Sequence, residues 1–332
     1  MKIIKVPTGK IFVIDGEKGL LECLSLGDYG KEQNVKADFL GISRELNGVP
    51  NGDVQPLSKK WVITISSQYG CSMNCKFCCV PKVGAGVNAT IPDLNRQIIT
   101  ALAAESCNAT ERLNIHYARM GEPTFNFAVL SHAESLKRFV RNIITATTVH
   151  PVVSTMLPKQ NRALPDFLRR WCDLKNKLYG GEAGLQFSIN STSDFQRKKM
   201  FSDNSLPLSA ISKIGEELPV PVGRKYALNF ALADGYKIDA EKLKSLFDPQ
   251  KFMVKITPMH NTSACIENNI ETTGGYKYFT PYRAAEEALK EAGFDVPVFV
   301  PSLDEDEGLI TCGNAILSGT NPRVKYEEFF VE

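Results

Sequence analysis

From Trp61 onward, short apolar runs alternate with stretches whose apolar residues recur every three or four positions. Apolar runs separated by amphipathic segments are the signature of repeated βα units and a parallel sheet. The pattern predicts strands over 61–66, 113–119, 151–155, 185–190, 226–231 and 253–257, with a further apolar run at 296–300 that extends the sheet. Helices are expected between them, over 92–104, 128–145, 162–177, 207–218, 239–246 and 281–292. Two of these carry N-terminal signals, Asp239 ahead of Ala240-Glu241 and Thr280 ahead of Pro281. A side-chain oxygen there accepts an unpaired backbone N–H, and proline is tolerated in the first turn. The first 60 residues follow a different period. Residues 10–14 and 20–26 alternate like a hairpin around Asp15-Gly16, and 47–53 is rich in Gly, Pro and Asn, the residues that punctuate turns. The organisation expected is a small β extension over 1–60, an α/β unit over 61–300 and a C-terminal segment over 301–332.

Composition narrows the class without deciding it. At 332 residues, 43% hydrophobic and 23% charged, the chain can bury a full core. A net charge of +2 creates no strong field for nonspecific binding to nucleic acid. The basic groups Arg169-Arg170, Arg197 to Lys199 and Arg224-Lys225 read as solvated faces. Nine cysteines are an odd number without a disulfide framework, which argues for a reducing compartment. The N-terminal Met1-Lys2-Ile3-Ile4-Lys5 lacks the apolar stretch of a signal peptide, and no window approaches a membrane span. A cytoplasmic location is the expectation.

The chemistry is concentrated in one run, Ser67-Gln68-Tyr69-Gly70-Cys71-Ser72-Met73-Asn74-Cys75-Lys76-Phe77-Cys78. A spacing of three then two residues lets one short loop aim three thiolates at three corners of a [4Fe–4S] cube. Such clusters normally take four cysteines, so a three-cysteine set leaves one iron open to a small molecule. Two other readings stand beside this one. Three cysteines also serve zinc with a fourth ligand, the nearest histidine along the chain being His116; cysteine is also a small core residue.

The pattern Cys-x3-Cys-x-aromatic-Cys resembles that of the radical S-adenosylmethionine (SAM) enzymes. The resemblance implies a partial (β/α)6 barrel, with a [4Fe–4S] cluster on Cys71, Cys75 and Cys78 and SAM on the open iron. It also implies that SAM is split to a 5′-deoxyadenosyl radical, using an external electron donor such as flavodoxin or ferredoxin. Chemistry in parallel barrels sits at the C-terminal ends of the strands, and the cysteine loop directly follows the first predicted strand.

Further segments, in order over about residues 61–320, resemble the radical SAM adenine C2 methyltransferases of ribosomal and transfer RNA and their C8-methylating resistance relatives. These are Ser66-Ser67-Gln68 before the cluster loop, Met120-Gly121-Glu122-Pro123 at the second strand end and Val153-Ser154-Thr155 at the third. They continue with Ser188-Ile189-Asn190, where the family has Ser-Leu-His, then Ile256-Thr257-Pro258-Met259-His260-Asn261, and finally Cys312-Gly313. The resemblance implies SAM contacts from Gly121, Glu122, Ser154, Ser188, Asn190 and Asn261. Glu122 is a charged acceptor for the ammonium and the short polar groups suit the carboxylate and ribose. His260 is the other residue for the role of Asn261. Turn, capping or core roles are the plainer readings of each.

In that family the cysteine matching Cys312 first takes a methyl group from one SAM. The radical from a second SAM then abstracts hydrogen from the S-methyl, and the methylene adds to an sp2 carbon of adenine, a form of covalent catalysis. A flexible segment over 304–319 is expected for a thiol that visits two positions. Two departures stand out. The family's resolving cysteine, seven residues before the first cluster cysteine, is Thr64 here, with Cys79 and Cys107 as substitutes. The family's helical N-terminal domain is replaced by the β extension. The reading is a radical SAM enzyme that methylates an unactivated sp2 carbon on a nucleobase-like substrate. One alternative is hydrogen abstraction from a small molecule or peptide without methyl transfer; another is a metal-binding protein without catalysis.

Overall fold

The computed structural model describes residues 1–27, 45–46, 49–50, 56–276, 279–301 and 303–331, so most of the turn expected at 47–53 lies outside the described residues. The chain opens as an antiparallel meander of β1 (Lys2–Val6), β2 (Gly9–Gly16) and β3 (Gly19–Gly27). The turn at Asp15-Gly16 closes the hairpin that the alternation predicts, with Gly16 opposite Gly19. Next comes β4 (Lys60–Ile65), followed by a small hairpin of β5 (Gln68–Gly70) and β6 (Ala85–Asn88).

The barrel strands are β4, β7 (Ala109–Tyr117), β8 (Thr145–Thr155), β9 (Gly184–Ser188), β10 (Tyr226–Leu232) and β11 (Phe252–Pro258), each parallel to its neighbour. The meander is no separate lobe. Strand β3 pairs antiparallel with β4, opposing Cys23 to Ile65, and β12 (Glu327–Phe330) pairs with β1. One ten-stranded sheet results, its parallel part curled but not closed. The run at 296–300 contributes only a bridge from Val298 to Ile256. Pro297 lies within it and Pro301 follows it, and proline has no N–H for a ladder.

Helices cover the outside. They are α1 (Ile91–Ala103), α2 (Ala128–Arg141), α3 (Leu164–Asp173), α4 (Asp194–Met200), α5 (Leu208–Glu217), α6 (Ala240–Leu246), α7 (Ser263–Asn268), α8 (Thr280–Glu291) and α9 (Leu303–Glu307). Asp239 caps α6 by accepting from the Lys242 N–H, as its position predicts, whereas Thr280 lies inside α8 with Phe279 at the cap. The amphipathic faces of α1 to α3 pack Leu94, Ile98, Leu136, Phe167 and Trp171 against the outward side chains of the strands, a fully buried layer that secures the scaffold. Among the described residues no helix is long and apolar enough to cross a membrane.

Candidate active site

The cysteine loop leaves the C-terminal end of β4 and is held by backbone contacts along its length. Gly70, at φ +75°, lets β5 lie against Gly84, where a Cβ would fall 2.2 Å from the Gly84 oxygen; only glycine fits so close an approach. The Cys71 N–H donates to Gly84 at 2.9 Å and the Cys78 N–H to Cys75 at 3.1 Å. Asn74 takes a left-handed φ of 50°, a conformation asparagine tolerates better than most residues. The loop after α4 clasps the middle of the run. The Ser202 hydroxyl donates to the Asn74 carbonyl, the Asn204 amide to Met73, and the Lys76 N–H to Met200. From α7, Thr262 donates to Phe77 and Asn268 to Lys76.

Cys71, Cys75 and Cys78 line one cavity of about 730 Å³ within the curled sheet. Burial raises all three thiol pKa values, that of Cys71 to about 11, and neighbouring cysteines add to the rise at Cys75 and Cys78. Free thiolates are therefore disfavoured together, and a cationic group is needed to hold them. Among the described residues no three His, Cys, Asp or Glu side chains close on a single metal ion. Three thiols around a shared cavity instead suit a larger group whose irons each take one thiolate. The donor set fits a [4Fe–4S] cluster with one iron left for another ligand.

Gly121, Glu122, Ser154, Ser188 and Asn190 line the same cavity. Gly121 has φ +97°, and a Cβ there would meet Gln68 Cβ at 2.5 Å. Gln68 also accepts from the Glu122 N–H at 2.8 Å, fixing the strand-end turn. Glu122 is buried. One carboxylate oxygen accepts from the Thr124 N–H and hydroxyl at 3.1 and 2.7 Å, and the other from the Met156 N–H at 2.8 Å. Burial nevertheless raises its pKa, against those hydrogen bonds. Asn190 takes φ +58° and commits its amide, accepting from the Ala231 N–H and donating to the Met200 sulfur. Asn261 is exposed and lies outside the cavity lining, whereas His260 is part of it. His260 Nδ1 lies 3.5 Å from Asp306 and 3.1 Å from the Tyr276 hydroxyl.

A raised carboxyl pKa sets a sign. The stability that neutral Glu122 confers is complete below the ordinary carboxylate pKa and is lost as pH rises through the raised one. In thermal melts of the metal-free chain from pH 4 to 8, the wild type is expected to lose ground to Glu122→Gln as pH rises. A constant or widening advantage for the wild type would reject the assignment.

Cys312 is exposed and shares the cavity with the cluster cysteines. Its neighbour Gly313, at φ +86°, accepts from the Cys79 N–H at 2.7 Å, and a Cβ there would lie 3.3 Å from the Phe77 oxygen. The Cys312 backbone thus rides on the cluster loop. Thr64 lines the cavity, but its two substitutes do not. Cys79 is buried against the Ser263 hydroxyl at 3.1 Å, and Cys107 precedes β7 at the opposite end of the strands. Sequence reasoning passed over Gln186 and Asn229, and named His116 only for the zinc reading and Thr257 only within a motif segment; all four line the cavity. Extending the period-two alternation inward from Ser188 and Ser154 was the available signal.

Six parallel strands with three cysteines on the loop after the first are the arrangement that the sequence resemblance implies. No family model matches the chain. A dual-specificity RNA methyltransferase RlmN from Sorangium cellulosum is 25% identical over 273 residues, covering 79% of this chain and 63% of the relative. The RlmN of Campylobacter fetus subsp. fetus is 22% identical over 280 residues, covering 82% and 75%. The crystal structure of a radical SAM methyltransferase from Sphaerobacter thermophilus shares the fold with a TM-score of 0.59 at 18% identity, covering 92% of this chain and 77% of that one. The chain thus spans less than two thirds of the Sorangium relative. The chain is thus similar in sequence to RNA methyltransferases named RlmN and shares its fold with a radical SAM methyltransferase.

Proposed function

We propose that the chain is a methyltransferase that places a methyl group from SAM on an unactivated sp2 carbon of a nucleobase-like substrate, with Cys312 as the methyl carrier. The observation that carries this reading is an exposed cysteine in the same cavity as the three cluster cysteines, on a backbone bonded to the cluster loop. When bound, the cluster and SAM supply a methyl group and a carbon-centred radical. The chain supplies the rest. Cys71, Cys75 and Cys78 hold the cluster, and Glu122 accepts from the SAM ammonium, which offsets the cost of its buried charge. Gly121 leaves room beside it, and Ser154 and Ser188 offer hydroxyls to the carboxylate and ribose. Asn190 holds the strand-end turn through Ala231 and faces the same space. His260, which lines the cavity, takes the role first assigned to Asn261. The names of the relatives support RNA as the substrate class, and an acidic carrier such as flavodoxin or ferredoxin is the proposed electron donor.

The test is anaerobic incubation of cluster-reconstituted protein with methyl-deuterated SAM, followed by peptide mass spectrometry. A trideuteromethyl group on Cys312 is expected. Its absence from Cys312 and from added RNA, with SAM still cleaved, would sink methyl transfer. That outcome would favour hydrogen abstraction from a small molecule or peptide. One observation supports this second reading. Thr64 offers the cavity no thiol for a releasing disulfide, and neither Cys79 nor Cys107 lines it.

A further inference from the structure

The segment that presents Cys312 is fastened at both ends to one buried ion pair. Glu22 lies on β3 and Arg119 two residues beyond β7, with side-chain exposures of 0% and 1%. Arg119 donates from Nε and Nη2 to one Glu22 oxygen at 2.9 and 2.7 Å, and from Nη1 to the Leu309 carbonyl at 2.9 Å. The other Glu22 oxygen accepts from the Leu317 N–H at 2.6 Å. Two ties lie between these feet. The Thr311 hydroxyl donates to Asp306 at 2.7 Å, and the Gly313 carbonyl accepts from Cys79. Leu309, Asn314 and Ala315 are buried while Cys312 is exposed at the apex. These bonds tie, at four points, the segment that a two-position thiol suggests is flexible.

A buried ion pair is weak evidence for net stability, because desolvation offsets the attraction and an apolar pair of similar volume often serves as well. Direction is what an apolar pair lacks. Two donors of the guanidinium satisfy one carboxylate oxygen, and the remaining donor and the remaining oxygen hold a carbonyl and an amide at opposite ends of one loop. We propose that Glu22 and Arg119 are positioning residues for Cys312. They fix the feet of the loop at Leu309 and Leu317, and with the ties at Thr311 and Gly313 between them the travel of the thiol is confined to Cys312 and its adjoining peptides. The N-terminal meander thereby supports the active site from behind, through a residue distant in sequence from every catalytic motif. The inference rests on the reading of Cys312 as the reactive thiol.

Hydrogen exchange on the cluster-reconstituted protein under anaerobic conditions tests it. In the wild type, peptides covering Leu309 to Leu317 should be protected like the sheet. Exchange there at the rate of an unstructured segment would overturn the proposal without any variant. In Glu22→Gln, an amide NH2 replaces one acceptor oxygen, and exchange across this loop should rise at least about tenfold while β8 and β9 stay protected. In Arg119→Lys, which keeps the charge but lacks the fork, exchange should rise near Leu309 and less at Leu317. No change in either variant, or an equal rise throughout the sheet, would refute a positioning role. Label from methyl-deuterated SAM on Cys312 is read in parallel. If the wild type carries none, the methyl-carrier reading fails while the exchange data still decide the clamp.

Discussion

Cys75→Ala is expected to lose the cluster, and with it all reductive cleavage of SAM, while leaving the fold in place. Cys75 is the most enclosed of the three proposed ligands, at 7% exposure, and it sits among Met73, Met200, Phe201 and Met259. Shortening a buried thiol to a methyl there costs about 1 kcal/mol, little beside the loss of function. The loop does not depend on that sulfur for its shape, because Ser202, Asn204, Thr262 and Asn268 hold its backbone. With only two thiolates left, one more iron is without a protein ligand. Burial also keeps the free thiols protonated at neutral pH, so loading the wild type should release protons and slow as pH falls. The checks are iron content per chain, the visible absorbance of the cluster, and 5′-deoxyadenosine formation with a chemical reductant. Full iron content in the variant would reject Cys75 as a ligand. Cys71→Ala and Cys78→Ala should behave alike.

The architecture was legible because its signals are local. Each parallel strand is an apolar run, each outer helix an amphipathic one, and the three ligands lie within eight residues of one another. The expected strand over 185–190 overshoots because Asn190 turns to positive φ to reach Ala231, a tertiary demand that an asparagine permits but does not announce. The helix expected over 162–177 changes form after Asp173, where Leu174–Leu178 winds as a π-helix and buried Lys175 reaches the Val222 carbonyl. Propensity cannot see that carbonyl. The candidate site divides the same way. Cys71, Cys75, Cys78 and Glu122 are marked by motif, but the exchange of Asn261 for His260 at the cavity follows from how Asp306 holds both. It accepts from the Asn261 N–H at 2.7 Å and lies 3.5 Å from His260. Glu22 carried no signal at all, since a glutamate in an alternating strand reads as solvent-facing until Arg119 arrives from 97 residues away.

Cys312→Ala is expected to abolish methylation, by roughly a thousandfold or more, yet to preserve SAM cleavage. The two effects separate because Cys312 is exposed in the cavity and is not among the proposed cluster ligands. Its side chain is exposed, so exchanging thiol for methyl should move stability by no more than about 0.5 kcal/mol. The ties that shape the loop run through neighbouring backbone and side chains, from Cys79 to Gly313 and from Thr311 to Asp306, and none uses the Cys312 sulfur. A dead variant would therefore report chemistry and not misfolding. The measurement pairs 5′-deoxyadenosine release with transfer of deuterated methyl to RNA. Loss of both would make the thiol necessary for SAM binding, contrary to the carrier role. Full transfer would remove Cys312 from the reaction, and the hydrogen-abstraction reading would then take precedence. Retained cleavage with lost transfer is the outcome expected if Cys71, Cys75 and Cys78 hold the cluster, as proposed, and Cys312 only shares their cavity.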